Sequence, residues 1–106
     1  MGIFDLLRGP DINEGVREYE AAEGGFLLDV RSPQEYREGH IPGSRNIPLQ
    51  SLDRVSRVVV DMSAPIFVYC LSGGRSRQAV SVLKGMGYSN VKNLGGISSY
   101  SGKVVR

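Results

Sequence analysis

Apolar and polar residues follow one another along this chain in two rhythms. Between Asp11 and Gly24 the apolar positions Ile12, Val16 and Tyr19 recur at spacings of four and three, the period of one helical face. Asp11 followed three residues later by Glu14 has the form of a capping box, and Gly24-Gly25 stops the run. Phe26-Leu27-Leu28-Asp29-Val30 is short, mostly apolar and bounded by punctuation, which predicts a strand buried on both faces. Ser32-Pro33-Gln34-Glu35 starts a second helix, with Ser as cap and Pro at the first position, running to about Gly39. Ile41-Pro42-Gly43 reads as a turn, and Asn46-Ile47-Pro48-Leu49 offers only a short strand because Pro48 has no N–H.

From Ser51 to Val60, Leu52, Val55, Val58 and Val59 fit one helical face, although the β-branched run Val58-Val59-Val60 resists a helix at its far end. Ile66-Phe67-Val68-Tyr69 is the second buried strand, and it ends directly at Cys70. After Leu71-Ser72-Gly73-Gly74, the segment Arg75 to Met86 carries Ala79, Val82, Leu83 and Met86 at helical spacing, with Gly87 as its stop. Val91-Lys92-Asn93-Leu94 is a last short strand before Gly95-Gly96. Strands alternating with helices predict an α/β fold, a mainly parallel sheet with helices on both faces. Ligands of such sheets bind outside the carboxyl ends of the strands, where Cys70 lies.

Composition narrows the chemistry. A length of 106 residues suits one domain, with a core from about 11 to 100. Thirteen Lys plus Arg against eleven Asp plus Glu give a net charge of +2, without the basic clusters or interleaved aromatics that nucleic-acid binding requires. The start, Met1 to Arg8, has neither a basic lead nor a long apolar stretch, and no segment approaches the ~18 apolar residues of a membrane span. Leu6 stands where N-myristoylation would want Ser or Thr. A cytoplasmic, monomeric protein is expected, without membrane or nucleic-acid partners. One cysteine and one histidine exclude an internal disulfide framework and leave too few ligands for a transition metal, so no metal and no cofactor are expected. Fourteen glycines are nearly twice the usual ~7%, which points to backbone positions needing positive φ or close approach.

The segment Tyr69-Cys70-Leu71-Ser72-Gly73-Gly74-Arg75-Ser76-Arg77 concentrates the chemistry. A strand delivers a thiol, two glycines let the loop curl, and a helix begins at about Arg75, so that free backbone amides and the positive helix end face the sulfur. Such surroundings lower a thiol pKa, and Arg75 and Arg77 add positive charge for an anionic substrate. The alternative is that Cys70 is a small buried hydrophobe at a strand end.

The loop Cys70-Leu71-Ser72-Gly73-Gly74-Arg75-Ser76 resembles the Cys-x-x-Gly-x-Arg-Ser active-site loop of the rhodanese-like sulfurtransferases in their single-domain form. Leu28-Asp29-Val30-Arg31-Ser32-Pro33-Gln34-Glu35-Tyr36 followed by Gly39-His40-Ile41-Pro42-Gly43-Ser44-Arg45-Asn46-Ile47-Pro48 is similar to the family's N-terminal signature. Gly85-Met86-Gly87-Tyr88 and Leu94-Gly95-Gly96-Ile97 look like its closing segments, so the likeness runs from about Asp11 to Tyr100. Ser44 and Tyr100 depart from the Ala and Trp common there. The resemblance implies a rhodanese-like fold with a five-stranded, mainly parallel sheet. It also implies transfer of a sulfane sulfur from a small donor such as thiosulfate to cyanide or a thiol, through a persulfide on Cys70. Leu71, Ser72, Gly73, Gly74, Arg75 and Ser76 would bind the substrate, with Arg75 meeting the donor's sulfonate. A sulfur-relay or regulatory module, taking or giving sulfur to a partner protein, is the other function within this fold.

Loop length separates this from a related chemistry. Four residues separate Cys70 from Arg75 and six separate it from Arg77. The oxyanion cradle of cysteine-dependent phosphatases and arsenate reductases is one residue longer than the first and one shorter than the second. His40 beside Ile41-Pro42-Gly43 reads as structural rather than as a base. Asp29 could approach the loop from behind. Arg31 and Glu35 could form an ion pair that holds the following turn, an exposed contact contributing only ~0–1 kcal/mol.

Overall fold

The computed structural model describes residues 9–106, so the expectations for Met1 to Arg8 lie outside the described residues. The order is α1 (Ile12–Ala21), β1 (Phe26–Asp29), α2 (Pro33–Glu38) and β2 (Arg45–Asn46), then a 3-10 turn (Leu49–Arg54) leading into α3 (Val55–Val58). β3 (Ile66–Cys70), α4 (Gly74–Gly85), β4 (Val91–Gly96) and a last 3-10 turn (Ile97–Ser99) complete it.

Both predicted helix starts are present. The Asp11 carboxylate accepts from the amides of Asn13 (3.0 Å) and Glu14 (3.4 Å). At α2 the box is reciprocal: the Glu35 amide donates to Ser32 Oγ at 3.2 Å, and the Ser32 amide donates to Glu35 Oε1 at 3.0 Å. A capping side chain of this kind contributes about 1 kcal/mol.

The sheet is parallel throughout, in the order β2-β1-β3-β4. It has four strands rather than five, because only four segments of the described chain carry a strand pattern. β2 is short for the reason Pro48 suggested. The Ile47 and Leu49 amides still bond the Asp29 and Val30 carbonyls, but Pro48 between them has nothing to donate.

Side chains alternate across β3, and this alternation aims the thiol. Ile66, Val68 and Cys70 join one core with Leu28, Leu52, Val55, Val59, Ala79, Leu83 and Tyr88, beneath α3 and α4. Phe67 and Tyr69 point the other way, into a second core with Ile12, Val16, Leu27, Ile41 and Leu94 beneath α1. All five β3 residues are buried. Each such Val or Ile contributes about 1.5–3 kcal/mol, so the strand that carries the thiol is among the best anchored.

One local expectation changes. Leu52, Val55 and Val59 are buried, but Val58 is 44% exposed, because the helix ends there and the backbone turns extended at Val59. The β-branched run yields to its own preference. The chain end is also held: His40 and Val105 exchange two backbone hydrogen bonds, at 2.8 and 2.9 Å.

Candidate active site

Cys70 ends β3 with its sulfur directed into the mouth of the loop that leads to α4. The turn depends on Gly73, which caps α4 at φ +110°, a conformation that side-chain-bearing residues rarely adopt. Its amide donates to Cys70 Sγ at 3.0 Å. Ser76, completely buried in the first turn of α4, places its Oγ 3.4 Å from the sulfur and donates to the Gly73 carbonyl at 3.0 Å. In the thiol form the S–H donates to Ser76 Oγ. Once the thiolate forms, the same hydroxyl can turn its proton from the Gly73 carbonyl to the sulfur. Burial pushes the Cys70 thiol up, but hydrogen bonds from the Ser76 hydroxyl and from the amides of Ser76, Gly73 and Ser72 outweigh it and bring the pKa below its ordinary value.

β4 closes the loop from the side. Its register shifts between Val68 and Tyr69 of β3, leaving Leu94 as the extra residue and setting Tyr69 opposite Gly95 and Cys70 opposite Gly96. A methyl group at Gly96 would lie 2.2 Å from the Leu71 carbonyl oxygen and 2.6 Å from Ser72 Cα. The thiol loop therefore lies directly on a bare strand. The Ser98 amide adds a bond to the Leu71 carbonyl at 3.1 Å.

The two arginines diverge. Arg77 lines a cleft of about 370 Å³ with Ser72, Gly73 and Gly74 of the thiol loop and with Asn93 and Gly95, on the β4 flank. Arg75 reaches instead to α2, where Nη1 and Nη2 donate to the two Glu35 oxygens at 2.7 and 3.0 Å. The Arg75 bonds hold the Glu35 carboxyl down at about 2, and Glu35 in turn raises the guanidinium pKa. Arg31, expected to pair with Glu35, pairs with Asp29 at 2.7 Å, both side chains buried, and donates to the Gly39 carbonyl. The reason is geometric: Arg31 folds back on the carboxylate two residues before it, which leaves Glu35 to the arginine of the neighbouring strand's loop.

Of the residues singled out from sequence, Cys70, Ser72, Gly73 and Ser76 converge on the sulfur through a side chain or an amide. Leu71 turns its side chain outward, 45% exposed, and Gly74 opens α4 on the surface. His40 stacks on Tyr36 at 3.7 Å and bonds the Tyr36 carbonyl through Nδ1 at 2.8 Å, a structural set of contacts. Glu35 as partner of Arg75 is absent from the local sequence pattern. The available signal was positional: α2 and the thiol loop follow adjacent strands, so their first turns meet at one sheet edge. Among the described residues no group of three His, Cys, Asp or Glu side chains is arranged to hold a metal, and no helix is long and apolar enough to cross a membrane.

The family model described as "Rhodanese-like domain" matches residues 13–103. The thiosulfate sulfurtransferase PspE of Escherichia coli K12 is 41% identical over 71 residues, 66% of this chain and 68% of that protein. The adenylyltransferase and sulfurtransferase uba4 of Ogataea parapolymorpha is 35% identical over 95 residues, 89% of this chain but only 24% of that protein. Among solved structures, a "rhodanese with anions from E. coli" superposes with a TM-score of 0.73 at 36% identity, covering 77% of this chain and 98% of that one.

Proposed function

The chain belongs to the rhodanese-like domain family, and from that premise we propose that it is a sulfurtransferase whose one working unit, about residues 11–100, carries sulfur on Cys70. The observation that carries this reading is the sulfur held at 3.0 Å by the Gly73 amide and at 3.4 Å from the buried Ser76 hydroxyl, with its pKa drawn below the ordinary thiol value. The Cys70 thiolate attacks the outer sulfur of thiosulfate. The bond from that sulfur to the sulfonate breaks, its electron pair leaves with sulfite, and Cys70 becomes a persulfide anion. Amides between Leu71 and Ser76, Gly74 and Arg75 included, face the new terminal sulfur as an oxyanion hole faces developing charge. An attacking cyanide or thiol then removes that sulfur, and the thiolate returns. No metal or cofactor enters, and a lone buried thiol suits a reducing cytoplasm.

A protein as donor or acceptor is the second reading, favoured by the match to uba4 across 89% of the chain. The monomer offers its loop at the surface, where a partner's thiol reaches it. Steady-state thiocyanate formation from thiosulfate and cyanide, for the native protein and Cys70→Ser, tests the main reading. Turnover by the native protein and none by the variant is expected; equal rates would overturn it.

A further inference from the structure

The Glu35 carboxylate is built into the site from two sides. Its Oε1 accepts from the Ser32 amide within its own helix cap, and both its oxygens accept from Arg75 across forty positions of sequence. Arg75 is the only basic residue between Cys70 and Ser76, and Arg77 lines the cleft that Ser72, Gly73 and Gly74 of the loop share with β4. Arg31, the nearby buried cation, is already paired with Asp29. The fixed positive charge on the α2 side of the loop is therefore cancelled before any donor arrives, and what remains for an anion is the set of loop amides with Arg77 on the β4 side.

We propose that Glu35 sets the charge preference of the loop: by holding Arg75 in a two-bond ion pair, it steers sulfur uptake away from a dianion such as thiosulfate and toward sulfane donors of lower charge. This rests on the sulfurtransferase reading. Coulomb attraction to an uncompensated Arg75 grows in proportion to donor charge, so a dianion loses twice the attraction a monoanion loses, and the two fold-effects relate as a square. The pair is 37% and 27% exposed, so solvent screens it and the effect stays moderate. Glu35 acts through Arg75 and is a positioning residue.

Thiosulfate and methanethiosulfonate form a matched pair of donors, one dianion and one monoanion. Each gives its outer sulfur to the Cys70 thiolate, with sulfite or methanesulfinate leaving on the broken bond's electron pair and the same persulfide anion formed. Rates of persulfide formation are measured with both for the native protein, Glu35→Gln, which keeps an acceptor for the Ser32 amide, and Glu35→Asp, which keeps the charge. Glu35→Gln is expected to raise kcat/KM roughly tenfold for thiosulfate and roughly threefold for methanethiosulfonate, through KM, with both gains shrinking in high salt. Glu35→Asp should keep the native donor ratio. A fall with thiosulfate, or an unchanged donor ratio in a Glu35→Gln protein that still loads sulfur, overturns the proposal alone. Failure of the native protein to load from either donor overturns the sulfurtransferase reading and this proposal together.

Discussion

β1 and β3 lie side by side, run in the same direction and end at one edge of the sheet, yet their last residues meet opposite fates. β1 ends in Asp29, completely buried, with its carboxylate held by the Arg31 amide, Nε and Nη2 at 2.7 to 3.1 Å. Asn46 bonds the Asp29 and Arg31 carbonyls at 3.0 and 2.8 Å, and the Arg31 guanidinium lies 5.7 Å from the Tyr69 ring centroid. Every charge there is met by its opposite. β3 ends in Cys70, ringed by donors that have no anion to serve until the thiol ionises. A buried ion pair is self-contained and fixes geometry, whereas a ring of donors around a neutral thiol is an unfilled demand for negative charge. One strand end holds the loops in place, and the other does the chemistry between them.

The sharpest way to break this contrast is to unbalance the β1 end. Asp29→Asn should leave Arg31 buried without its counter-charge and cost about 3–5 kcal/mol in urea unfolding, far more than an exposed pair would. Next comes the β3 end, attacked without touching its chemistry. Gly96→Ala drives a methyl group into the Leu71 and Ser72 backbone, which cannot swing aside as a side chain could. Sulfur transfer should fall roughly a hundredfold while the melting temperature falls less than in Asp29→Asn.

Ser76→Ala removes the strongest of the donors that oppose burial and leaves only the backbone amides, so the thiol pKa rises. Sulfur loading should drop roughly tenfold at neutral pH and recover at alkaline pH, which a stopped-flow pH profile reads directly. The smallest effect belongs to the bridge between the two loops. Glu35 is ordinarily at 4.5 and is held at about 2, so its contribution to stability is complete above pH 4.5 and is lost as pH falls through about 2. Thermal melts of native protein and Glu35→Gln should therefore converge as acid is added across that window.

What the sequence revealed follows the reach of the forces involved. The Ser32 cap, the buried run Ile66 to Tyr69 and the thiol before Gly73-Gly74 are local patterns, and each is present where its spacing placed it. The Arg75 to Glu35 pair and the contact of Gly96 with the Leu71 carbonyl depend on strand order, which no local pattern encodes. The excess of glycine had already announced close approach, but not what would be approached. Arg31 departs from its expected partner because one two residues back competes with one four residues ahead, and only burial beside Asp29 decides between them. Val58 leaves the expected apolar face because a β-branched run ends a helix sooner than its apolar spacing suggests.

The role of Cys70 is tested most directly by the intact mass of the protein after brief exposure to thiosulfate and again after cyanide. A sulfur-carrying Cys70 gains the mass of one sulfur atom, localised to the peptide containing Cys70, and loses it to cyanide as thiocyanate forms. No mass gain on the native protein, or the same gain on Cys70→Ser, would contradict it.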